Sequence, residues 1–146
     1  MKFKNKLIFI TGASGIGLKV AQSFLNVGAR VILCDKDPEK LNAIKKQHPN
    51  IEIYTCNILS IKDLDAIIIK FGEQIDVWVN NTDLLQKSVM AEYNLSHRDL
   101  ENALVFNYYF YTIKIIDYLK KKPSSAIFNL ASFAEDNSCN TNSVRS

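Results

Sequence analysis

Short apolar runs alternate with amphipathic stretches along most of this chain. The runs are rich in Val, Ile and Phe, and they predict five β-strands, at 6–10, 30–35, 51–56, 75–80 and 126–131. Apolar residues recur at helical spacing between these runs and predict helices at about 15–26, 38–48, 61–71 and 96–121. Strands that alternate with helices form a parallel sheet with helices on its faces.

Two of the predicted helices begin with strong local signals. Asp37-Pro38-Glu39 combines a capping acid, a proline in the first turn and a second acid. Ser60-Ile61-Lys62-Asp63 resembles a capping box that has aspartate in the last place. Right-handed crossovers and the doubly wound rule then predict an α/β fold with strand order 3-2-1-4-5. The ligand cleft of such a sheet lies above the carboxyl ends of strands one and four.

The composition is that of an ordinary soluble globular chain, with 47% hydrophobic and 23% charged residues. A chain of 146 residues can bury a real core, and we expect one domain over residues 1–133. The segment 134–146 is rich in Asn and Ser, and we interpret it as a loop or a disordered tail. The net charge of +3 is small and the lysines are scattered, which argues against a nucleic-acid partner.

The cysteines and the first residues limit the choice of compartment. Three cysteines show no CxxC or His-paired spacing, so we expect no metal site. Cys34 and Cys56 fall within predicted strands and are interpreted as small core residues. The basic start precedes an apolar run that is too short for a signal peptide or a membrane span. We therefore expect a cytoplasmic protein with no membrane partner.

A glycine-rich turn, Gly12-Ala13-Ser14-Gly15-Ile16-Gly17, joins the first strand to the first helix. Glycines let the backbone come close to a ligand, and the helix that follows directs free N–H groups and its positive dipole end to the same place. This arrangement predicts a phosphate-binding turn. The alternative is an ordinary glycine turn between a strand and a helix.

Three segments resemble motifs of the short-chain dehydrogenase/reductase family. The segment 11–17 resembles the cofactor turn T-G-x-x-x-G-x-G, with one residue fewer between the first two glycines. The segment 76–83 resembles D-h-h-V-N-N-A-G, where h is apolar, and 129–132 resembles N-h-S-S. The resemblance covers Lys6 to about Ser132. It implies a Rossmann-like fold, a nicotinamide dinucleotide cofactor and a small alcohol or carbonyl substrate.

Asp35 ends the second strand, at about the 20-residue separation expected of a ribose-binding acid. Its carboxylate is suited to accept hydrogen bonds from the adenosine ribose hydroxyls and would repel the extra phosphate of NADP. We therefore predict NAD in preference to NADP, although Lys36 is the next residue. The alternative is a surface aspartate that leads into the next helix.

The resemblance implies further cofactor-binding residues beside Asp35. These are Gly12, Ser14, Gly15, Ile16, Gly17, Asn57, Ile58, Asn80 and Asn81. Asn57 stands where the family commonly has an aspartate that hydrogen-bonds the adenine, and an amide still donates and accepts. Thr82 and Asp83 replace the alanine and the glycine of the family motif. The alternative for the two adjacent asparagines is turn chemistry at a strand end.

The resemblance also implies two catalytic residues. Asn107 corresponds to the asparagine that helps to hold a proton-relay water, and Ser132 to the serine that hydrogen-bonds the substrate oxygen. In the family a tyrosine follows that serine, with a lysine one helical turn beyond it. The family spacing reaches Arg145, and the lysine position lies past Ser146. Arginine stays protonated and cannot carry out the proton transfer of the tyrosine.

Tyr118 and Lys122 match the spacing of that tyrosine–lysine pair, but they precede Ser132. The long helix that contains them runs antiparallel to the strands, so they are expected at the opposite edge of the sheet.

We therefore expect an NAD(P)-dependent oxidoreductase that is impaired or inactive as this chain, with its fold truncated after strand five. The alternatives are a non-catalytic nucleotide-binding module and a truncated gene product. We expect self-association through the long helix or the edge of strand five.

Overall fold

The computed structural model describes residues 2–13, 15–58, 60–81, 96, 110 and 112–130. Within these residues the elements are β1 (Leu7–Thr11), α1 (Ile16–Asn26), β2 (Arg30–Asp35), α2 (Pro38–Gln47), β3 (Glu52–Thr55), α3 (Ile61–Phe71), β4 (Ile75–Asn80) and β5 (Ala126–Asn129). Residues 112–119 are also helical. The first part of the predicted long helix and the proposed tail lie outside the described residues.

The described strands form one parallel sheet in the order β3-β2-β1-β4-β5. This confirms the predicted strand order and fold class. The central strand β1 is buried along its whole length, because helices cover both faces of the sheet. It therefore has no alternation of apolar and polar residues.

Each face of the sheet carries its own apolar core. On one face, Phe9 stacks on Trp78 with ring centroids 4.8 Å apart, and α3 and the helical residues 112–119 cover them. On the other face, Ile8 and Ile10 pack with apolar residues of α1 and α2. Cys34 and Cys56 are buried in the first of these cores, as the sequence predicted.

The predicted helix caps are present. Asp37 Oδ1 accepts hydrogen bonds from the amides of Glu39 and Lys40, and Ser60 Oγ accepts one from the amide of Asp63. The Asp63 carboxylate also accepts a hydrogen bond from the amide of Asn57, with an N–O distance of 2.8 Å. The cap of α3 therefore also fixes the backbone that leaves β3.

Asp76 joins the amino ends of the two central strands. Its Oδ2 accepts a hydrogen bond from the Leu7 amide at 2.9 Å, and its Oδ1 lies 3.2 Å from Lys6 Nζ and 3.6 Å from Lys122 Nζ. Burial raises the pKa of Asp76, but the Leu7 amide and the two lysines outweigh it and lower the pKa below its ordinary value. The carboxylate is therefore ionised at neutral pH and bonded to both strands.

We expect Asp76→Asn to lower the free energy of unfolding by about 1–3 kcal/mol at neutral pH, because an amide replaces a charged acceptor of several donors. The carboxylate stabilises the fold above about pH 4, the ordinary pKa of aspartate. That stabilisation is lost as the pH falls through the lowered pKa of the folded state. Urea unfolding of both proteins at neutral and acidic pH should therefore show the difference shrinking in acid. Asp117→Asn, at an exposed side chain, is the control and should change stability little.

Among the described residues, no helix is long and apolar enough to cross a membrane.

Candidate cofactor-binding site

The turn after β1 adopts a backbone that favours glycine at two positions. Gly12 has φ 80° and Gly15 has φ 43°, both in the left-handed region. The Gly12 amide donates to the carbonyl of Cys34 in β2, with an N–O distance of 2.8 Å. The turn is thus attached to the neighbouring strand at its first residue, and α1 begins directly after Gly15.

Asn81, the first residue after β4, holds this turn from the other side. Its Nδ2 donates to the Gly12 carbonyl at 2.9 Å, and its amide donates to Thr11 Oγ1 at 3.1 Å. A Cβ on Gly12 would lie 2.3 Å from the Asn81 carbonyl oxygen. A Cβ on Gly17 would lie 2.1 Å from the Gly12 carbonyl oxygen and 2.3 Å from Asn81 Nδ2. Gly12 and Gly17 therefore allow the strand end, the helix and Asn81 to pack closely.

Gly15 has different surroundings. Apart from its chain neighbours, no atom of the described residues would lie within 4 Å of a Cβ built on it. The neighbouring Ile16 is 62% exposed, and the first turn of α1, described in full, contains no acidic residue. The amino end of a helix attracts anions through its dipole and free N–H groups. The open side of the turn is therefore suited to a phosphate group.

Asp35 lies beside the turn at the carboxyl end of β2. Its Oδ2 accepts hydrogen bonds from the Ala13 amide and from Lys40 Nζ, each at 2.9 Å, and its Oδ1 accepts one from the Asp37 amide at 3.1 Å. Burial raises the pKa of Asp35, but these donors, with Lys40 first, outweigh it and lower the pKa below its ordinary value. Asp35 therefore carries a negative charge at neutral pH, and Lys40 partly balances it.

Lys40 was not identified from the sequence. It lies in the first turn of α2, where the helix dipole disfavours a cation. A cation in this unfavourable position, five residues after the aspartate that ends β2, is the signal that could have indicated the Asp35–Lys40 ion pair.

Asn57 and Ile58 follow β3, on the same edge of the sheet. The Asn57 amide is bonded to Asp63, and Ile58 is buried. Ile58 belongs to the wall of a small apolar pocket at this edge, which is lined by Thr11, Cys56, Ile58, Leu64, Ile67 and Trp78. The enclosed space has room for about one water molecule, so the pocket is too small to hold a ring in this structure.

Asn80 lies below the cleft and is fully buried. Its Oδ1 accepts a hydrogen bond from Trp78 Nε1, and its Nδ2 donates to Asn129 Oδ1, each at 2.7 Å. In this structure its amide therefore connects the carboxyl ends of β4 and β5.

The structure brings most of the predicted site residues to one edge of the sheet. Around the glycine turn it gathers Gly12, Gly15, Ile16, Gly17, Asp35 and Asn81. Ser14, Asn107 and Ser132 lie outside the described residues. Their roles, and the cofactor contacts of the other residues, stay predictions.

The Tyr118–Lys122 pair lies at the opposite edge, as expected. Lys122 Nζ donates to the carbonyl of Ile75, the first residue of β4, at 2.8 Å. Tyr118 packs beside Gly72, just before that strand. Both residues are therefore at the amino ends of the strands, away from the glycine turn. Within the part of the chain that the structure describes, no three His, Cys, Asp or Glu residues gather where they could hold a metal ion.

Curated relatives of the chain include oxidoreductases. The chain is 34% identical over 93 residues to the uncharacterized oxidoreductase DltE of Bacillus subtilis, covering 61% of this chain and 36% of that protein. It is 29% identical over 150 residues to an uncharacterized oxidoreductase of Staphylococcus epidermidis, covering 98% of this chain and 65% of that protein. The chain thus spans between about a third and two thirds of the length of these two relatives.

Solved structures share the fold. 2-Keto-3-deoxy-D-gluconate dehydrogenase from Streptococcus agalactiae matches with a TM-score of 0.71 at 22% identity, covering 89% of this chain and 52% of that one. L-Sorbose reductase from Gluconobacter frateurii, complexed with NADPH and L-sorbose, matches with a TM-score of 0.70 at 19% identity, covering 90% of this chain and 54% of that one. The family model described as short chain dehydrogenase matches residues 6–144. The chain therefore belongs to the short-chain dehydrogenase family.

Proposed function

We propose that this chain binds a nicotinamide dinucleotide and represents the cofactor-holding part of an oxidoreductase that acts on an alcohol or a carbonyl. The diphosphate would lie at the amino end of α1, against Gly15 and Ile16. The adenosine ribose would lie at Asp35, and the adenine beside Ile58. A bound nicotinamide supplies or accepts a hydride, and the residues of this chain hold and orient it.

The contrast between Gly15 and its neighbours supports this proposal most directly. A Cβ on Gly12 or Gly17 would overlap Asn81, whereas a Cβ on Gly15 would meet no described atom within 4 Å apart from its chain neighbours. The rigid packing behind the open side of the turn keeps the amides of the turn in one place, which lowers the entropy lost when a diphosphate binds.

We propose NAD as the preferred form of the cofactor. The ionised Asp35 carboxylate would accept hydrogen bonds from the ribose hydroxyls and repel a 2′-phosphate. Its side chain is only 13% exposed, so solvent screens this charge less than it would screen an exposed carboxylate. Lys40 Nζ, 2.9 Å from Oδ2, reduces the repulsion, so we expect the preference to be moderate.

Arg145 supports a second element of the proposal, that the 146-residue chain binds the cofactor without turnover. An arginine stands at the position that the family spacing gives to the proton-transferring tyrosine, and arginine stays protonated.

We also propose that the chain self-associates through the helical residues 112–119 or through β5. Three large apolar side chains on these elements are exposed: Ile113, Ile116 and Phe128.

Titration of the purified chain with NADH tests the proposal. Trp78 is the single tryptophan and lines the apolar pocket next to the turn, so its emission should fall as NADH binds. We expect saturable quenching and no oxidation or reduction of simple alcohols and ketones. Turnover would contradict the inactivity that we infer from Arg145. No binding at millimolar NADH would contradict the whole proposal and favour a gene product without a nucleotide-related role.

A further inference from the structure

Cys34 and Cys56 form a contact pair between two neighbouring strands. Their Sγ atoms are 3.0 Å apart, both thiols are free, and both side chains are buried. Cys34 in β2 lies opposite Tyr54 in β3, and the Cys56 amide donates to the Asp35 carbonyl at 3.0 Å. The two cysteines thus point to the same face of the sheet, and both belong to the core on that face.

The pair lies beneath the candidate cofactor site without belonging to it. The Cys34 carbonyl accepts the hydrogen bond of the Gly12 amide, and Asp35 is the next residue along β2. Cys56 contributes to the wall of the apolar pocket, beside Ile58. A small uncharged molecule that enters this pocket therefore meets Cys56 first, because Cys56 lines the pocket and Cys34 does not.

The geometry points to a modification site: we propose that Cys34 and Cys56 form a disulfide across β2 and β3 when the protein meets a small peroxide. Cys56 sulfur attacks one peroxide oxygen, the O–O bond breaks, and a sulfenic acid and one water form. Cys34 sulfur then attacks Cys56 sulfur, gives up its proton, and expels the oxygen as a second water. Two thiols are thereby oxidised to one disulfide, and two electrons reduce hydrogen peroxide to water.

The environment of Cys34 lowers its reactivity toward a peroxide. The hydrogen bond with Cys56 and burial both raise the pKa of the Cys34 thiol well above its ordinary value. A thiol is a far weaker nucleophile than a thiolate, so Cys34 is not the sulfur that attacks the peroxide, and only its 3.0 Å contact with Cys56 Sγ favours its attack in the second step.

Mass spectrometry of a Cys139→Ser chain after treatment with hydrogen peroxide tests this proposal. Only Cys34 and Cys56 remain in that variant, and trypsin cuts between them at Lys36 and Lys40. We expect a loss of two hydrogen atoms and one pair of tryptic peptides joined through these cysteines, separated again by dithiothreitol. Added oxygen atoms with no such link, or a link between two molecules, would overturn the proposal.

Cys56→Ala in the same background is the matched variant and should show no loss of hydrogen. If that variant does not fold, the joined peptides of the Cys139→Ser chain still decide the question. Hydrogen exchange supplies a second measurement, at the amides of Gly12 and Cys56, which donate to the carbonyls of Cys34 and Asp35. Treatment with hydrogen peroxide should slow hydrogen exchange at both amides several-fold. Unchanged exchange would overturn the claim that the bond forms in the folded sheet.

Discussion

Replacing Gly15 with alanine is expected to weaken NADH binding at least tenfold while leaving the chain folded. The added methyl group would meet no described atom within 4 Å apart from its chain neighbours, and it would stand where we propose that the diphosphate approaches. The backbone of Gly15, with φ 43° and ψ −100°, is sparsely populated by non-glycine residues and costs them about 1–3 kcal/mol. Tryptophan quenching measures the binding, and urea unfolding measures the stability.

Gly28→Ala is the matched control for Gly15→Ala. Gly28 also has a positive φ, of 82°, and apart from its chain neighbours a Cβ there would meet no atom of the described residues closer than 3.5 Å. It lies at the far end of α1, so it should lose similar stability and bind NADH normally. Normal binding by Gly15→Ala would show that the diphosphate does not lie at this turn.

Gly17→Ala should both lower the stability of the fold and weaken NADH binding. Its methyl group would overlap the Gly12 carbonyl oxygen at 2.1 Å, and backbone cannot move aside as a flexible side chain does. Overpacking of this kind costs about 3 kcal/mol, and the turn would be displaced with it. Wild-type stability in this variant would contradict the close packing of α1, the turn and Asn81.

Two substitutions at the adenosine end are expected to change cofactor preference in opposite directions. Asp35→Asn removes the negative charge and leaves Lys40 unpaired, which should raise the affinity for NADPH relative to NADH about tenfold or more. Lys40→Met leaves Asp35 without its cation and should lower that relative affinity by a similar factor. A charge interaction of about 1–4 kcal/mol at this range corresponds to a factor of about 5 to about 1,000 in relative affinity, because about 1.4 kcal/mol is tenfold.

The ratio of NADPH affinity to NADH affinity is measured by titrating each variant with both cofactors. Both variants should still bind at least one of the cofactors, because the glycine turn is unchanged. A ratio that moves in the same direction in both variants would contradict the role given to the Asp35–Lys40 pair. Binding lost equally for NADH and NADPH in Asp35→Asn would indicate a damaged loop, since Ala13 and Asp37 also donate to this carboxylate.

The fold could be predicted from the sequence because its signals are local. The strands are continuous apolar runs, and β2 and β4 have the predicted bounds. Asp37 and Ser60 cap the helices that they were predicted to begin. The handedness of the crossovers then leaves few possible strand orders, and the observed order is the predicted one.

The candidate site could be located from the sequence but not built in detail. Motif positions placed the glycine turn and Asp35 at one edge of the sheet. They could not indicate that Asn81 bonds the Gly12 carbonyl, since that depends on how closely β4 approaches β1. Nor could they indicate the side-chain direction of Lys40 or the contact of Cys34 with Cys56. Such contacts depend on the packing of elements that are distant in sequence.

The central position of β1 also determines when the turn becomes rigid during translation. β1 pairs with β2 on one side and with β4 on the other, so half of its backbone partners emerge from the ribosome long after it. Asn81, which bonds the Gly12 carbonyl, emerges later still. A nascent chain that ends before this residue has the glycine turn but lacks the two hydrogen bonds by which Asn81 holds it, so a cofactor bound as we propose would find its docking place only after β4 has been synthesised.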